Sequence, residues 1–426
     1  MAVFTIAVRY ETEAVCVTPL RTGGQDGDPE TVLRDAQGRA FLQGSSLAGA
    51  LRGWLEDQGK KDVAKELFGS QKGSGRLMVS DALFGADDVQ ATRPRLRING
   101  KTGTADDGGK FDTAHMVAGS RLHFTLTWLG QERNSHETDT IERMLGALNG
   151  GEIRLGAQKT NGFGHVRLTV KKRVFQMQNA ADREAWLADE AGGSVLTLPE
   201  SGVLSSRVKF LVTGRTDGIL VKASAQEKRT KGKEGTVSVT VNLKENGRSV
   251  LPGSSVKGAV RARAESIARL LGLPDAVTEE WFGRGSNRDD NGLPGQVVFN
   301  DVMLSEQKKE IRRIRINRFT GGVIRQGMMT EEPVSSDVDL TITAPAENPV
   351  GCGLLLYALR DLGLGLYHLG SGGSIGRGYL VVRKIEIEAP SGKKAALVFR
   401  ENQPVSIEDP DGLLNVWTQA VRREQQ

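Results

Sequence analysis

Phe41-Leu-Gln-Gly-Ser-Ser-Leu-Ala-Gly-Ala-Leu-Arg52 returns as Val250-Leu-Pro-Gly-Ser-Ser-Val-Lys-Gly-Ala-Val-Arg261, and this pair decides how the 426-residue chain is read. Outward from it, Leu67-Phe68-Gly69 is matched by Trp281-Phe282-Gly283, and Gly75-Arg-Leu-Met-Val-Ser-Asp81 by Gly295-Gln-Val-Val-Phe-Asn-Asp301. Arg95-Leu-Arg-Ile-Asn99 is matched by Arg313-Ile-Arg-Ile-Asn317. Leu155-Gly-Ala-Gln-Lys-Thr-Asn-Gly-Phe-Gly164 is matched by Leu369-Gly-Ser-Gly-Gly-Ser-Ile-Gly-Arg-Gly378. Five matches in one order, offset by about 209–220 residues, mark an internal duplication. The copies span 1–172 and 204–388, with a linker at 173–203 and a C-terminal extension at 389–426.

The copies share an order of elements. Each opens on an alternating strand (Val3–Arg9; Ser206–Val212) followed by a long irregular loop. Gly-Ser-Ser then starts a helix, where Ser45 or Ser46, and Ser254 or Ser255, are placed to cap the free N–H groups. A strand (Leu77–Ser80; Val297–Asn300), an insertion rich in Arg and Gly, and another strand (Leu122–Trp128; Asp337–Thr343) follow. A second helix (Thr140–Asn149; Gly353–Leu362), the glycine loop and a last strand close the unit. This is the split βαβ pattern. It predicts an α+β chain of two tandem ferredoxin-like (RRM-like) βαββαβ domains, each leaving one sheet face free for a ligand. The linker holds a helical run, Ala181–Ala191, and the extension a strand, Ala395–Phe399, and a helix, Asp411–Arg423.

Bulk properties narrow the class. An apolar content of 38% suits a globular chain, and no apolar run approaches the roughly 18 residues of a membrane span. The N-terminus lacks a signal-peptide pattern. Cys16 and Cys352 are the only cysteines and have no ligand spacing, so we expect buried thiols and a cytoplasmic protein.

Charge is more telling in its placement than in its sum of +5. Arg312, Arg313, Arg315, Arg318 and Arg325 lie in a stretch without acid between Ile311 and Thr330. Guanidinium forks suit phosphate oxygens, although one such run is also what a solvated face looks like. Arg95, Arg97, Lys101 and Lys110 line the first insertion, while Met328 and Met329 close the second as base wedges or core. The glycine loops carry Gly156, Gly162 and Gly164, and Gly370, Gly376 and Gly378, with Lys159 and Arg377 as their cations. Glycine permits positive φ, so main-chain N–H groups can face an anion; a tight turn is the plainer alternative. Neither loop is a Walker or a dinucleotide motif. Helix starts at the serines attract phosphate, with Arg52, Lys257 and Arg261 further along those helices. Asp26 and Asp28 sit in Thr22-Gly-Gly-Gln-Asp-Gly-Asp-Pro29, as turn formers or as carboxylates beside a phosphodiester. The second copy has Val237 at that spacing, with Asp217 and Glu234 as loose stand-ins. His115 and His165 fall near the basic loops and are candidate acid–base groups.

The Gly-Ser-Ser-[Leu/Val]-x-Gly-Ala-[Leu/Val]-Arg helix start, with the terminal glycine loop of each copy, resembles the RAMP superfamily of CRISPR systems. It is most similar to backbone subunits of type III effector complexes, and to fused two-domain, type III-D-like members in particular. The resemblance implies that each copy grips CRISPR RNA and that the insertions act as thumbs in the guide–target duplex. It implies metal-dependent cleavage of target RNA by one aspartate before the Gly-Ser-Ser helix, with Mg2+ or Mn2+ at that residue. The spacing selects Asp28, with Asp26 as the second choice. Implied partners are CRISPR RNA, target RNA, a large polymerase-like subunit and other RAMP subunits. A non-catalytic CRISPR RNA-binding subunit and a guide-processing endoribonuclease are the alternatives.

Overall fold

The computed structural model describes residues 4–98, 105–199, 206–221, 226–230, 236–285, 291–305, 307–390 and 392–424. The chain divides into two compact units. One holds Met1–Arg93, Asp112–Lys159 and Phe163–Ser205; the other holds Pro94–Phe111, Thr160–Gly162 and Ser206–Gln426. It is a mixed α+β chain whose main sheets are antiparallel.

In the first unit the alternation that opens the chain places Val8, Tyr10, Thr12, Ala14 and Cys16 on the buried face of the strand Ile6–Cys16. That strand pairs antiparallel with both Arg121–Gly130 and Val166–Gln176, and Leu77–Val79 pairs with the far edge of Arg121–Gly130. The helices Gly44–Asp57 and His136–Asn149 bury Leu47, Leu51 and Leu55, and Ile141, Met144, Leu145 and Leu148, in one core with this sheet. Tyr10 stands in the register between Leu126 and Lys172.

The opposite sheet face, expected free for a ligand, is partly covered here. The helix Ala180–Leu187, which the sequence places in a linker, packs Ala185 and Trp186 against Ala7, Leu129 and Phe175. Asn179 caps it by accepting from the Ala181 amide at 3.0 Å. Arg9 lies 5.3 Å over the Trp186 ring and pairs with Asp189. Ser194–Val195 then adds a short strand beside Val166–Gln176. The segment folds this way because Phe175 and Trp186 are too large to leave in water.

The second unit repeats the plan. Arg207–Ile219 is central, between Val334–Pro345 and Leu380–Glu388, with Val298–Phe299 outside Val334–Pro345. The C-terminal extension continues this sheet through Lys394–Val398 and Ser406–Glu408. Its helix Leu413–Glu424 buries Leu414, Trp417 and Val421. Gly353 lets that helix close on Pro349–Gly363, since an added Cβ would lie 2.9 Å from the Trp417 carbonyl oxygen. The long loop expected after the first strand of this copy is instead built of strands. Gln226–Thr230 pairs with Thr236–Val241, and Lys244–Glu245 turns through Asn246 (φ 48) and Gly247 (φ 75) into Arg248–Leu251.

The first insertion pairs Gln90–Ile98 with Ala105–Met116 as a two-stranded sheet; the second pairs Ile311–Ile316 with Val323–Glu332 inside a four-stranded sheet, where Thr236–Val241 lies parallel to Val323–Glu332 and Gln226–Thr230 forms the other edge. Gly109 and Gly327 mark one shared irregularity. An added Cβ would meet Asp106 O and the Arg97 side chain at the first, Ile324 O and the Arg315 side chain at the second.

Candidate nucleic-acid interface

The helix starts come out differently from the expected serine caps. The helices begin at Gly44 and Gly253, after Gln43 and Pro252, and neither preceding residue makes a side-chain cap. The end amides donate instead to aspartates on the next strand-turn: Gly44 N to Asp81 Oδ1 and Gly253 N to Asp301 Oδ1, both at 2.7 Å. An added Cβ at Gly253 would strike Phe299 O at 2.0 Å, so the close approach demands glycine. With a carboxylate serving the helix end, Ser45 and Ser46 stay exposed and Ser254 and Ser255 half-buried in the first turn.

Arg52 and Arg261 are held by the same contacts in the two copies. Arg52 Nε donates to Glu56 at 2.8 Å and Nη1 to the Gly69 carbonyl at 3.2 Å. Arg261 Nε donates to Glu265 at 2.6 Å and Nη1 to the Gly283 carbonyl at 2.9 Å. Each guanidinium thus ties the Gly-Ser-Ser helix to the end of the Leu-Phe-Gly or Trp-Phe-Gly turn. Lys257, half-buried, donates to Thr160 Oγ1 at 3.0 Å. Burial, then the Arg261 and Arg95 charges, lower its pKa to about 8.

The glycine loops are tight and alike. Gly156, Gly162 and Gly164 have φ of 70, 87 and 83°, and Gly370, Gly376 and Gly378 have 75, 79 and 76°. In both, a left-handed residue precedes a single 3-10 turn: Gln158 (φ 62) before Lys159–Asn161, and Gly372 (φ 88) before Gly373–Ile375. A left-handed residue followed by a right-handed turn directs successive N–H groups to one concavity, as anion-holding nests do. For Gln158 this conformation costs on the order of 1 kcal/mol. The loop bases are consumed structurally, with Leu155 N on Gly164 O and Leu369 N on Gly378 O.

Lys159 is exposed, whereas the second loop's cation is buried. Arg377 Nη1 lies 2.6 Å from Glu331 Oε2, which Arg313 Nη2 also meets at 2.7 Å. One carboxylate therefore joins the glycine loop to the Arg-rich hairpin. At the matching place in the first copy Phe163 is buried beneath Arg93 (4.9 Å) and beside His115 (5.3 Å). His165 is half-buried near Asn149 O, and burial lowers its pKa from the ordinary value.

Along the hairpins, Arg315, Arg318 and Arg325 are exposed, with Arg318 5.2 Å over the Phe319 ring. Arg95 is half-buried, Arg97 pairs with Asp106 at 2.8 Å, and Lys101 lies outside the described residues. Apolar side chains alternate with these cations in the open: Leu96, Ile98 and Phe111 on one hairpin, Ile314, Ile316, Phe319 and Met328 on the other. Met328 is 65% exposed, which removes it from the core.

Asp26 and Asp28 are both exposed, on a 3-10 turn at Gln25–Gly27. Asp26 is left-handed (φ 50). Asp28 Oδ1 accepts from the Glu30 amide at 2.9 Å, while Oδ2 has no protein partner among the described residues. Arg21 Nη1 reaches the next carbonyl, Pro29 O, at 3.0 Å and Ala114 O at 3.3 Å. In the second copy Val237 is part of a strand, Asp217 pairs with Arg215, and Glu234 lies outside the described residues. A hard cation of the Mg2+ type takes one or two carboxylates and completes its shell with water and phosphate oxygens; what this loop offers is the exposed carboxylates of Asp26 and Asp28. The three-ligand cluster among the described residues, Glu66, His136 and Glu137, lies elsewhere, and Arg76 bonds both its glutamates.

A family model described as the RAMP superfamily matches residues 13–167 and 193–381. The chain is 30% identical over 78 residues to the CRISPR system Cmr endoribonuclease Cmr4 of Pyrococcus furiosus, a match covering 18% of this chain and 26% of that one. It therefore spans about a quarter of that curated relative. A chain in the cryo-EM structure of the Type III-B Cmr-beta bound to cognate target RNA is 18% identical, with a TM-score of 0.32 over 40% of this chain and 61% of that one. No described helix is long and apolar enough to cross a membrane.

Proposed function

The chain belongs to the RAMP superfamily, and from that premise we propose that it is a CRISPR RNA-binding subunit of a type III effector complex whose first copy cuts target RNA. Each copy, at 1–172 and 204–388, is read as a ferredoxin-like domain. The sheet order supports this, since both place the first strand between the third and the fourth, with the second strand outermost. Guide RNA, target RNA, a large polymerase-like subunit and other RAMP subunits are the partners this reading requires.

The observation that carries the proposal is the exposed alternation of cations and apolar side chains on both hairpins, together with a glycine loop of the same turn geometry in each copy. Arg315, Arg318 and Arg325 neutralise backbone phosphates, and the glycine-loop amides hold another. Base pairing reads the sequence, so the protein needs only backbone contacts and shape. Ile316, Phe319 and Met328 in one copy, and Leu96, Ile98 and Phe111 in the other, stand where a base can be displaced against an apolar surface. Cleavage then needs an in-line 2′-OH and a group beside the phosphodiester. Asp28, with Asp26 as the second choice, presents a carboxylate there, and a divalent ion bound to it would supply charge stabilisation at the phosphodiester.

Binding of labelled guide RNA across a salt series tests the grip. Arg315→Ala with Arg318→Ala is expected to weaken all guide sequences alike and to lower the slope of log K against log salt by about 1 per lost contact. An unchanged slope would remove these residues from the interface. Lys257 predicts a pH effect. Its ammonium is charged below its pKa of about 8 and neutral above it, so guide affinity should fall between pH 7 and 9, by about 1 kcal/mol or roughly fivefold. Lys257→Arg should flatten that profile; a profile equally steep in the variant assigns the step elsewhere.

A second reading, grip without chemistry, is favoured by one contact. The bond from Glu30 N to Asp28 Oδ1 is also what a plain aspartate turn makes.

A further inference from the structure

The two copies can be superposed contact by contact at the exit of their first strand. In the first, Gly164 N donates to Pro19 O at 2.8 Å and Ala157 N to Arg21 O at 2.9 Å. In the second, Gly378 N donates to Gly218 O at 2.9 Å and Ser371 N to Leu220 O at 2.8 Å. An added Cβ on Gly156 would meet Arg21 O, and one on Gly370 would meet Leu220 O. Arg21 and Leu220 therefore occupy one structural position. Leu220 is fully buried apolar surface, while Arg21 is a half-buried cation found only in the copy that carries Asp28.

What Arg21 touches gives the difference meaning. Its Nη1 donates to Pro29 O at 3.0 Å and to Ala114 O at 3.3 Å, beside the main-chain bond from Ala114 N to the same Pro29 O at 2.9 Å that joins the aspartate loop to the hairpin strand Ala105–Met116. The Pro29–Glu30 peptide faces both ways. Its carbonyl accepts from Arg21, and its N–H donates to Asp28 Oδ1 at 2.9 Å. A charged donor on the carbonyl polarises the peptide and strengthens the N–H that orients the carboxylate. The bond to Asp28 fixes one oxygen and leaves Oδ2 for the substrate side. The Ala114 amide already staples the loop through the same carbonyl, so what Arg21 adds is a charged donor on the peptide whose N–H orients Asp28.

We propose that Arg21 is the positioning residue for Asp28, acting through the Pro29–Glu30 peptide, and that Leu220 at the same place is one reason the second copy grips without cutting. This rests on the reading of Asp28 as the cleaving residue. The experiment uses the assembled complex with guide RNA and a complementary end-labelled target, under single-turnover conditions across a Mg2+ series. Arg21→Leu installs the residue the second copy already tolerates. It is expected to leave guide and target affinity within about twofold while slowing cleavage roughly 10- to 100-fold and raising the Mg2+ midpoint. Arg21→Lys, which keeps the charge and one donor, should recover part of the rate, and Arg21→Leu should add nothing once Asp28 is alanine. Cleavage lost in Asp28→Ala but intact in Arg21→Leu overturns this inference alone. Cleavage intact in Asp28→Ala overturns the reading beneath it. Should Arg21→Leu fail to assemble, Arg21→Gln decides, and a wild-type rate and Mg2+ midpoint in that variant count against the proposal.

Discussion

Replacing Asp28 with alanine is expected to slow target-RNA cleavage by on the order of 100- to 1000-fold while guide and target remain bound. The magnitude is that of removing one pre-placed charge-stabilising group from a reaction otherwise governed by geometry. Binding should persist because Asp28 belongs to no grip element; the carboxylate is exposed on its own turn, bonded among the described residues to the Glu30 amide alone. Asp26, on the same turn in a left-handed conformation, provides the internal control. Asp26→Ala should cost much less, since its carboxylate is not oriented by a described hydrogen bond. A single-turnover rate for Asp28→Ala equal to wild type, with the same cut position, would leave the second reading, grip without chemistry, as the account of this loop.

The second large effect concerns stability. Glu331 is buried to 1% exposure between Arg313 and Arg377, and Arg377 is itself nearly buried. Removing the carboxylate leaves a guanidinium desolvated without its counter-charge, a situation that costs about 3–5 kcal/mol. For a unit of this size Glu331→Ala should lower the melting temperature by on the order of 10 °C. Because the same carboxylate joins glycine loop to hairpin, the loss should also appear as faster amide exchange at both. Unchanged melting would mean that the two guanidinium groups find water or another acceptor when the glutamate is gone.

Much of this fold is legible in the repeats, and the reason is physical. At most of the glycines in Gly-Ser-Ser, Leu-Phe-Gly and the terminal loops a backbone carbonyl lies close, as Phe299 O does at Gly253 and Leu369 O at Gly378. Such positions admit no side chain, so the same glycines stand in both copies. Partners far along the chain are harder to read. The serines look like caps, yet Asp81 and Asp301 take the helix ends from 37 and 48 residues away. Both aspartates stand inside a quoted repeat, and that recurrence was the signal for them. Arg52 and Arg261 look like phosphate ligands by type, and only their carbonyl contacts reveal a structural duty. Asn246-Gly247 was a readable hairpin turn inside what looks like an irregular loop. Trp186 and Trp417 give the linker and the extension their folds, but a single large aromatic does not say which surface it will cover.

The difference between the copies remains the centre of the proposal: both are read as holding RNA, and among the described residues the aspartate turn belongs to the first. Mapping the cuts in an end-labelled target, bound to a complex assembled around this chain, tests it most directly. The account predicts one cut attributable to the chain, facing the first copy and lost with Asp28→Ala while the target stays bound. A second cut facing residues 204–388, or a cut at the first copy that survives Asp28→Ala, would contradict it.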